Sequence, residues 1–291
     1  MLSRRRVLRV GGAGIAGLGL AVAGGCSLER RLDDGESAAG APTTAGPVVQ
    51  DTFVSAARGG VSTRWSLIRP PGVDGPLPLV LALHGHGGST AGLLSETWDL
   101  PGALARAVVD DGVAPFALAT VSGGTSFWHP RPWGEDAGAM VLDELLPLLR
   151  ARSDVAPGPI GMLGWSMGGY GVLRLAGLLG QQAVAAVVAS SPGLYTRARS
   201  AHPDGFVDAA EYRRFSVMDA QSDLEGIPVR IDIGTSDPFF DATRVYVDGF
   251  PAGADVTAEY GDGGHEIFFT QRVLPAQLAF LGARVGRTGS G

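Results

Sequence analysis

A serine stands between two glycines in the segment Gly164-Trp165-Ser166-Met167-Gly168, which fits the pattern G-x-S-x-G. An apolar run at residues 160–163 precedes the pattern, and a stretch with helical spacing follows it. Glycine suits both ends, because a larger side chain would collide with backbone in a tight strand-to-helix turn. Such a turn exposes the serine hydroxyl at a helix N-terminus, which favours negative charge. We therefore predict that Ser166 is a nucleophile.

A nucleophilic serine needs a base, and the base needs an orienting carboxylate. Two of the five histidines follow Ser166 in the chain, His202 and His265. We predict His265 as the base, because it lies in a glycine-rich turn after the last predicted strand. His202 lies beside a proline, and we expect it to face solvent. Asp237 follows a predicted strand and is the favoured carboxylate, with Asp241 as the alternative.

The segment His84-Gly85-His86-Gly87-Gly88 directly follows an apolar run at residues 79–83. Glycine-rich backbone at a strand end can present N–H groups to a developing oxyanion. We predict that the backbone amides of His86 and Met167 form an oxyanion hole. The imidazoles of His84 and His86 are also potential metal ligands. Without a cysteine pair or a second histidine pair to complete such a site, we predict no metal here.

Several aromatic residues lie near these motifs in the sequence. Trp128, Trp133 and Phe239, with Phe240, could line an acyl or aromatic pocket. The alternative is that they pack at the edge of the core, as large aromatic side chains usually do.

The elements that must position these residues alternate between strands and helices. Apolar runs predict strands at residues 79–83, 116–121, 160–163, 184–189, 229–233 and 256–260, after a hairpin of strands at 52–56 and 63–68. Helical spacing marks residues 135–150, where Pro147 is expected to cause a kink, 169–179 and 273–285. Residues 194–223 show no strand pattern. We predict an α/β fold with a mostly parallel central sheet and helices on both faces.

The first residues read as a targeting signal. Arg4, Arg5 and Arg6 precede an apolar run at residues 10–25, and the segment resembles a twin-arginine export signal. Cys26, the only cysteine, follows small residues as in a lipobox, although Ala23 stands where leucine is more usual. We predict a signal peptide at 1–26, a flexible linker at 27–50, a catalytic domain at 51–286 and a tail at 287–291. The protein is expected to be exported, and to reach a membrane only through a lipid on Cys26.

The composition supports a folded domain with a buried core, since 45% of the residues are hydrophobic and 18% are charged. The formal net charge is −6, and all the basic residues are arginine. No arginine cluster lies outside the N-terminus, which argues against a nucleic acid partner. The expected partner is a small-molecule or lipid ester, and the sequence does not determine the oligomeric state.

Taken in order, the motifs resemble those of the α/β-hydrolase superfamily. The resemblance is closest to the esterase family that includes esterase D, feruloyl-esterase-like proteins and the antigen 85 mycolyltransferases. The matching segments are His84 to Gly88, Trp128-His129-Pro130-Arg131, Gly164 to Gly171, Gly234 to Phe239 and Gly263-Gly264-His265-Glu266.

This resemblance implies a triad of Ser166, His265 and Asp237 that cleaves carboxylic esters through an acyl-enzyme, without a metal or an organic cofactor. Three alternatives remain open at this point: a cell-envelope acyltransferase with the same triad, a serine peptidase, and a catalytically silent binding protein.

Overall fold

The computed structural model describes residues 43–286. The predicted signal peptide, Cys26, most of the predicted linker and the tail at 287–291 lie outside these residues. The first strand, β1, covers Val48–Ser55 and pairs with β2, Val61–Ile68, as an antiparallel hairpin. Residues 48–50, which we assigned to the linker, therefore belong to the sheet. Val48 pairs with Ile68, and this apolar pair extends the hairpin further towards the N-terminus than the sequence suggested.

Six further strands complete one sheet: β3 Leu79–Leu83, β4 Ala117–Val121, β5 Ile160–Trp165, β6 Val184–Ser190, β7 Val229–Gly234 and β8 Val256–Gly261. Their order across the sheet is β1-β2-β4-β3-β5-β6-β7-β8. The pairs from β4 to β8 are parallel, and only β1 and β2 run antiparallel to their neighbours. The carboxyl ends of the parallel strands consequently meet at one edge of the sheet.

Both faces of the sheet are covered, which explains why its central strands are continuously apolar. Leu79, Leu81 and Leu83 point into one core cluster, whereas Val80 and Ala82 point into the other. The helices are α1 Thr90–Leu94, α2 Leu100–Val109, α3 Ala137–Ala139, α4 Leu146–Arg150, α5 Met167–Leu179, α6 Ala209–Phe215, α7 Phe240–Asp248 and α8 Ile267–Gly282. Residues of α1, α2 and α8 pack in the second cluster, and residues of α5 and α7 pack in the first. The predicted fold class is confirmed.

The helix predicted at residues 135–150 is present but not uniformly wound. A π-helical segment, Met140–Leu145, connects α3 to α4. The amide of Leu146 donates to the carbonyl of Val141, five residues earlier. Pro147 follows at once, and a proline lacks the N–H that the regular ladder would use. The wider π turn places the missing N–H of Pro147 at the start of α4, where the first backbone N–H groups of a helix need no partner within it.

Residues 194–223 contain no strand and consist of turns and short helices, among them α6. We call this segment the excursion. Helices α1, α2, α6 and α7 were not predicted from the sequence, and α8 begins at Ile267 rather than at residue 273. Within residues 43–286, no helix has the length and apolar character needed to cross a membrane.

Candidate active site

Ser166 occupies a strained turn between β5 and α5. Its φ of 55° and ψ of −118° lie outside the regions that residues with a side chain normally adopt. Such strain costs about 1–3 kcal/mol, so the surrounding structure must enforce it. The two motif glycines allow it: a Cβ on Gly164 would lie 2.1 Å from the Gly168 carbonyl oxygen, and a Cβ on Gly168 would lie 2.0 Å from that of Leu83.

His265 links the serine to a carboxylate. Its Nε2 lies 2.8 Å from Ser166 Oγ, and its Nδ1 lies 2.8 Å from Asp237 Oδ2. Ser166 and Asp237 are buried, whereas the His265 side chain is 22% exposed. The structure therefore brings together the three residues that the sequence nominated, and leaves the histidine accessible from solvent.

Asp237 is held in place by the loop after β7. Its other oxygen, Oδ1, accepts a hydrogen bond of 2.8 Å from the amide of Phe239. Asp241, the alternative carboxylate, lies in the first turn of α7 and is exposed. The carboxylate that contacts His265 is thus that of Asp237.

Two aromatic rings enclose the imidazole of His265. Trp165 stacks on it, with ring centroids 5.1 Å apart, and Phe239 meets it edge-on at 5.0 Å. These contacts restrict rotation of the imidazole and exclude water from part of its surface. Trp165, the residue before the nucleophile, was not singled out in the sequence, and its place in the motif gives no signal of this contact.

The two predicted oxyanion donors lie on either side of the serine. Met167 is the first residue of α5, so its amide belongs to the unpaired N–H groups of a helix N-terminus. The other loop is close by, since a Cβ on Gly85 would lie 3.3 Å from Ser166 Cβ. Within residues 43–286, neither the His86 nor the Met167 amide donates to a protein acceptor. Both amides are free to bind an anionic oxygen.

The aromatic residues separate into three environments. Trp128 is fully buried and packs against Gly123, Gly171 and the ring of His84, so its prediction as a pocket residue was wrong. A glycine at each neighbouring position leaves room for the indole inside the core. Trp133 is 61% exposed and lies against the guanidinium of Arg131.

Phe239 contacts the ring of His265 and also lines an open groove, whose lining does not include His265 or Ser166 themselves. The groove has a volume of about 770 Å³. Leu194, Tyr195 and Arg197 also line it, and the rings of Tyr195 and Phe239 meet edge-on at 5.4 Å. Phe239 stays a predicted substrate contact, now with a groove next to it.

His84 and His86, in the loop after β3, lie in different environments. His84 is buried, its Nδ1 lies 2.8 Å from the Gly85 carbonyl oxygen, and its Nε2 accepts from the Gly123 amide. Burial lowers the pKa of His84 to about 4, so the imidazole is neutral, and the two backbone contacts leave neither ring nitrogen for a metal. His86 instead points outward, where its Nε2 lies 2.8 Å from Asp204 Oδ2.

His202 does not simply face solvent, as the sequence suggested. It is half-buried, its ring centroid lies 4.6 Å from that of His86, and it stacks on Phe127. Sequence reasoning missed the grouping of His86, His202 and Asp204, because the two segments lie 118 residues apart. No local pattern connects them.

A buried polar network holds the turn that carries His202 and Asp204. The carbonyl of Gly205 accepts hydrogen bonds from Arg131 and from His129 Nε2. Arg131 is fully buried and forms an ion pair of 3.3 Å with Glu211 of α6. Burial lowers the pKa of His129 to about 4. This network fixes the excursion against the catalytic domain.

A serine in a strained turn between strand and helix, with a histidine and an aspartate from later loops at the same sheet edge, is the arrangement of an α/β hydrolase. Residues 63–247 match the family described as "Putative esterase", and the chain belongs to this family. No curated protein matches the sequence.

Solved structures of esterases share the fold. A ferulic acid esterase is 20% identical with a TM-score of 0.70, and the match covers 81% of this chain and 97% of that one. An S-formylglutathione hydrolase from Agrobacterium tumefaciens is 18% identical with a TM-score of 0.67, covering 82% and 95%. A fluorophosphonate-binding serine hydrolase from Staphylococcus aureus is 13% identical with a TM-score of 0.62, covering 82% and 99%. Family membership and these neighbours support ester hydrolysis.

Proposed function

We propose that this protein is a serine esterase that cleaves carboxylic esters through an acyl-enzyme on Ser166. The observation that carries the proposal is the chain of two 2.8 Å contacts from Ser166 Oγ through His265 to Asp237. This geometry is what proton removal from a serine hydroxyl requires. The strained turn of Ser166 supports the same role, because such strain concentrates at functional sites.

The reaction follows from the positions of these groups. His265 Nε2 accepts the proton of Ser166 as Oγ attacks the ester carbonyl carbon. The amides of His86 and Met167 donate to the oxygen that becomes negative, and Asp237 stabilises the imidazolium. The imidazolium then protonates the leaving alcohol. Water, deprotonated by the same histidine, attacks the acyl-enzyme and releases the acid.

The substrate is proposed to be a small-molecule or lipid ester that lies partly in the groove beside Phe239. A groove of about 770 Å³ lies within the usual range for small-molecule sites. Tyr195, Leu194 and Phe239 offer apolar and aromatic surface. Arg197 and Asp241 give the lining one positive and one negative side chain, so its charge favours neither sign of substrate.

Hydrolysis of a p-nitrophenyl ester series from acetate to palmitate tests the proposal. We expect turnover by the wild-type protein and near-complete loss in Ser166→Ala, while Ser236→Ala, on an exposed residue of the Asp237 loop, retains it. A fluorophosphonate probe should label the wild type and not Ser166→Ala. Unchanged turnover or labelling in Ser166→Ala would refute the role of Ser166. Adding an alcohol acceptor to the same assay separates the two reactions, because hydrolysis releases the acid and acyl transfer forms a new ester.

We also propose export and lipid attachment at Cys26, on the basis of the arginine-rich start, the apolar run and the small residues before the cysteine. Mass spectrometry of the protein purified from membranes should find Cys26 as a lipidated first residue. In Cys26→Ser the protein should leave the membrane fraction. Equal membrane association of both proteins would contradict the anchor.

A further inference from the structure

We propose that His86, His202 and Asp204 bind a divalent transition-metal ion such as Zn²⁺ at the rim of the active site. One donor atom from each of the three side chains lies within 4.8 Å of the others. In tetrahedral zinc sites, bonds of about 2.1 Å place ligand atoms about 3.4 Å apart. His86 Nε2 and Asp204 Oδ2 already lie 2.8 Å apart. The donor atoms of the set, at most 4.8 Å apart, must therefore close to about 3.4 Å when an ion binds, while the Asp204 amide also donates to His202 Nδ1 at 3.2 Å.

The donor types fit this class of ion. Imidazole nitrogen suits zinc, copper and nickel, and a carboxylate adds a charged oxygen ligand. Two histidines and one carboxylate leave at least one position for water, as in open three-ligand zinc sites. The side chains of His86 and Asp204 are 34% and 51% exposed, so an ion can reach them from solvent.

The backbone around the site is rigid on the side of the excursion. The amides of Gly205 and Phe206 both donate to the His202 carbonyl, which closes the turn that carries His202 and Asp204. The carbonyl of Gly205, which follows Asp204 in the chain, is held by the buried side chains of His129 and Arg131. The ligands on this turn are thus held before an ion arrives, which reduces the ordering that binding requires.

A simple ion pair between His86 and Asp204 is the competing explanation. Such a pair at an exposed site contributes about 0–1 kcal/mol and needs only two groups. It leaves out His202, whose ring is tilted 49° to that of His86 with centroids 4.6 Å apart, and which carries a third donor atom into the same space. A metal site uses all three.

The location gives the ion a route to the catalytic loop. His86 follows Gly85, which lies against Ser166, and the backbone amide of His86 is a proposed oxyanion donor. An ion bound by the His86 imidazole would tie this loop to the excursion and cover part of the rim. This consequence for activity rests on the proposed esterase function, whereas binding of the ion does not.

Titration calorimetry with Zn²⁺ tests the site on the full chain purified without a histidine tag. We expect one ion per chain in the wild type, with affinity at least ten-fold weaker in His202→Ala and in Asp204→Asn. Asp74→Asn, on an exposed aspartate remote from the cluster in sequence, serves as the matched control and should bind as the wild type does. Circular dichroism checks that each variant is folded. Absence of saturable binding to the wild type, or equal affinity in His202→Ala, would overturn the proposal.

A second measurement follows ester hydrolysis with added Zn²⁺ and after removal of the ion with a chelator. We expect Zn²⁺ to lower kcat/KM at least two-fold in the wild type and to leave His202→Ala unaffected. Binding without an effect on kcat/KM would overturn the link to the catalytic loop and leave the site in place. If no ester is hydrolysed under any condition, the proposed function fails while the calorimetric result still decides the metal site.

Discussion

Replacing Gly168 by alanine should disrupt the turn that holds the nucleophile. A Cβ at this position would lie 2.0 Å from the carbonyl oxygen of Leu83 and 2.6 Å from its carbonyl carbon. Ordinary contact begins at 3.4 Å, so the two backbones must separate by about 1.4 Å. Neither partner is a flexible side chain: one is the end of β3 and the other is the first turn of α5.

The expected losses follow from this displacement. Forcing extra atoms into a packed interior costs about 1–3 kcal/mol, and we expect the upper value because backbone must move. For a domain of this size, about 3 kcal/mol lowers the Tm by about 6–12 °C. The same shift moves the His86 loop relative to Ser166, and a misplacement of about 1 Å can reduce catalysis about a hundred-fold.

Thermal unfolding and kcat/KM for p-nitrophenyl acetate measure both effects. Gly92→Ala is the matched control, because its Cβ would meet only Ser89 Oγ at 3.8 Å, and it lies in helix α1, where alanine is favoured. We expect this control to retain its Tm and activity. If Gly168→Ala matches Gly92→Ala in both measurements, the reasoning from close backbone approach is wrong.

Three further predictions concern the acid of the triad and the buried network. Asp237→Asn should lower kcat about ten-thousand-fold, as in other serine triads, whereas the exposed Asp241→Asn should stay near wild type; comparable losses in both would contradict the assignment. Arg131→Met should lower the free energy of unfolding in urea by about 3–5 kcal/mol, because it leaves Glu211 buried without its partner, and the added change Glu211→Gln should restore part of the loss. His129 has a folded-state pKa of about 4, below the ordinary 6.5, so the unfolded chain takes up its proton first as the pH falls. The contribution of His129 to the free energy of unfolding should therefore drop by about 2 kcal/mol between pH 7 and pH 5. In His129→Gln the free energy of unfolding should depend less steeply on pH. Parallel profiles for the two proteins would refute the buried neutral state.

Much of the fold could be predicted from the sequence because the central strands are buried on both faces. Continuous apolar runs record that burial locally, and the five strands β3 to β7 were found within a few residues of their predicted bounds. β8, which lies at the sheet edge and is partly exposed, was found from a weaker pattern. Helices α1, α6 and α7 escaped prediction because each has fewer than ten residues. The ten-residue α2 was missed although it buries Leu100, Leu104 and Ala107. Strand β1 begins at Val48, four residues before its predicted start, because pairing with β2 outweighs a polar local sequence.

For the site, the sequence by itself determined the three residues that the structure joins in one chain of hydrogen bonds. The G-x-S-x-G pattern records a local constraint on backbone geometry, and the order of Ser166, Asp237 and His265 follows the order of strands in a parallel sheet. Only the tertiary structure decided between Asp237 and Asp241, because one helical turn separates a carboxylate that faces the histidine from one that faces solvent.

Contacts between distant segments were likewise decided by the tertiary structure alone. Trp128 is a core residue because Gly171 of α5, in a distant segment, together with the nearby Gly123 leaves space for its ring. His86 meets His202 and Asp204 because the excursion folds back over the catalytic loop and is held there by Arg131. A sequence pattern reports which residues avoid water and which turns need glycine, but the meeting of two exposed loops depends on packing between segments, and no local spacing encodes it.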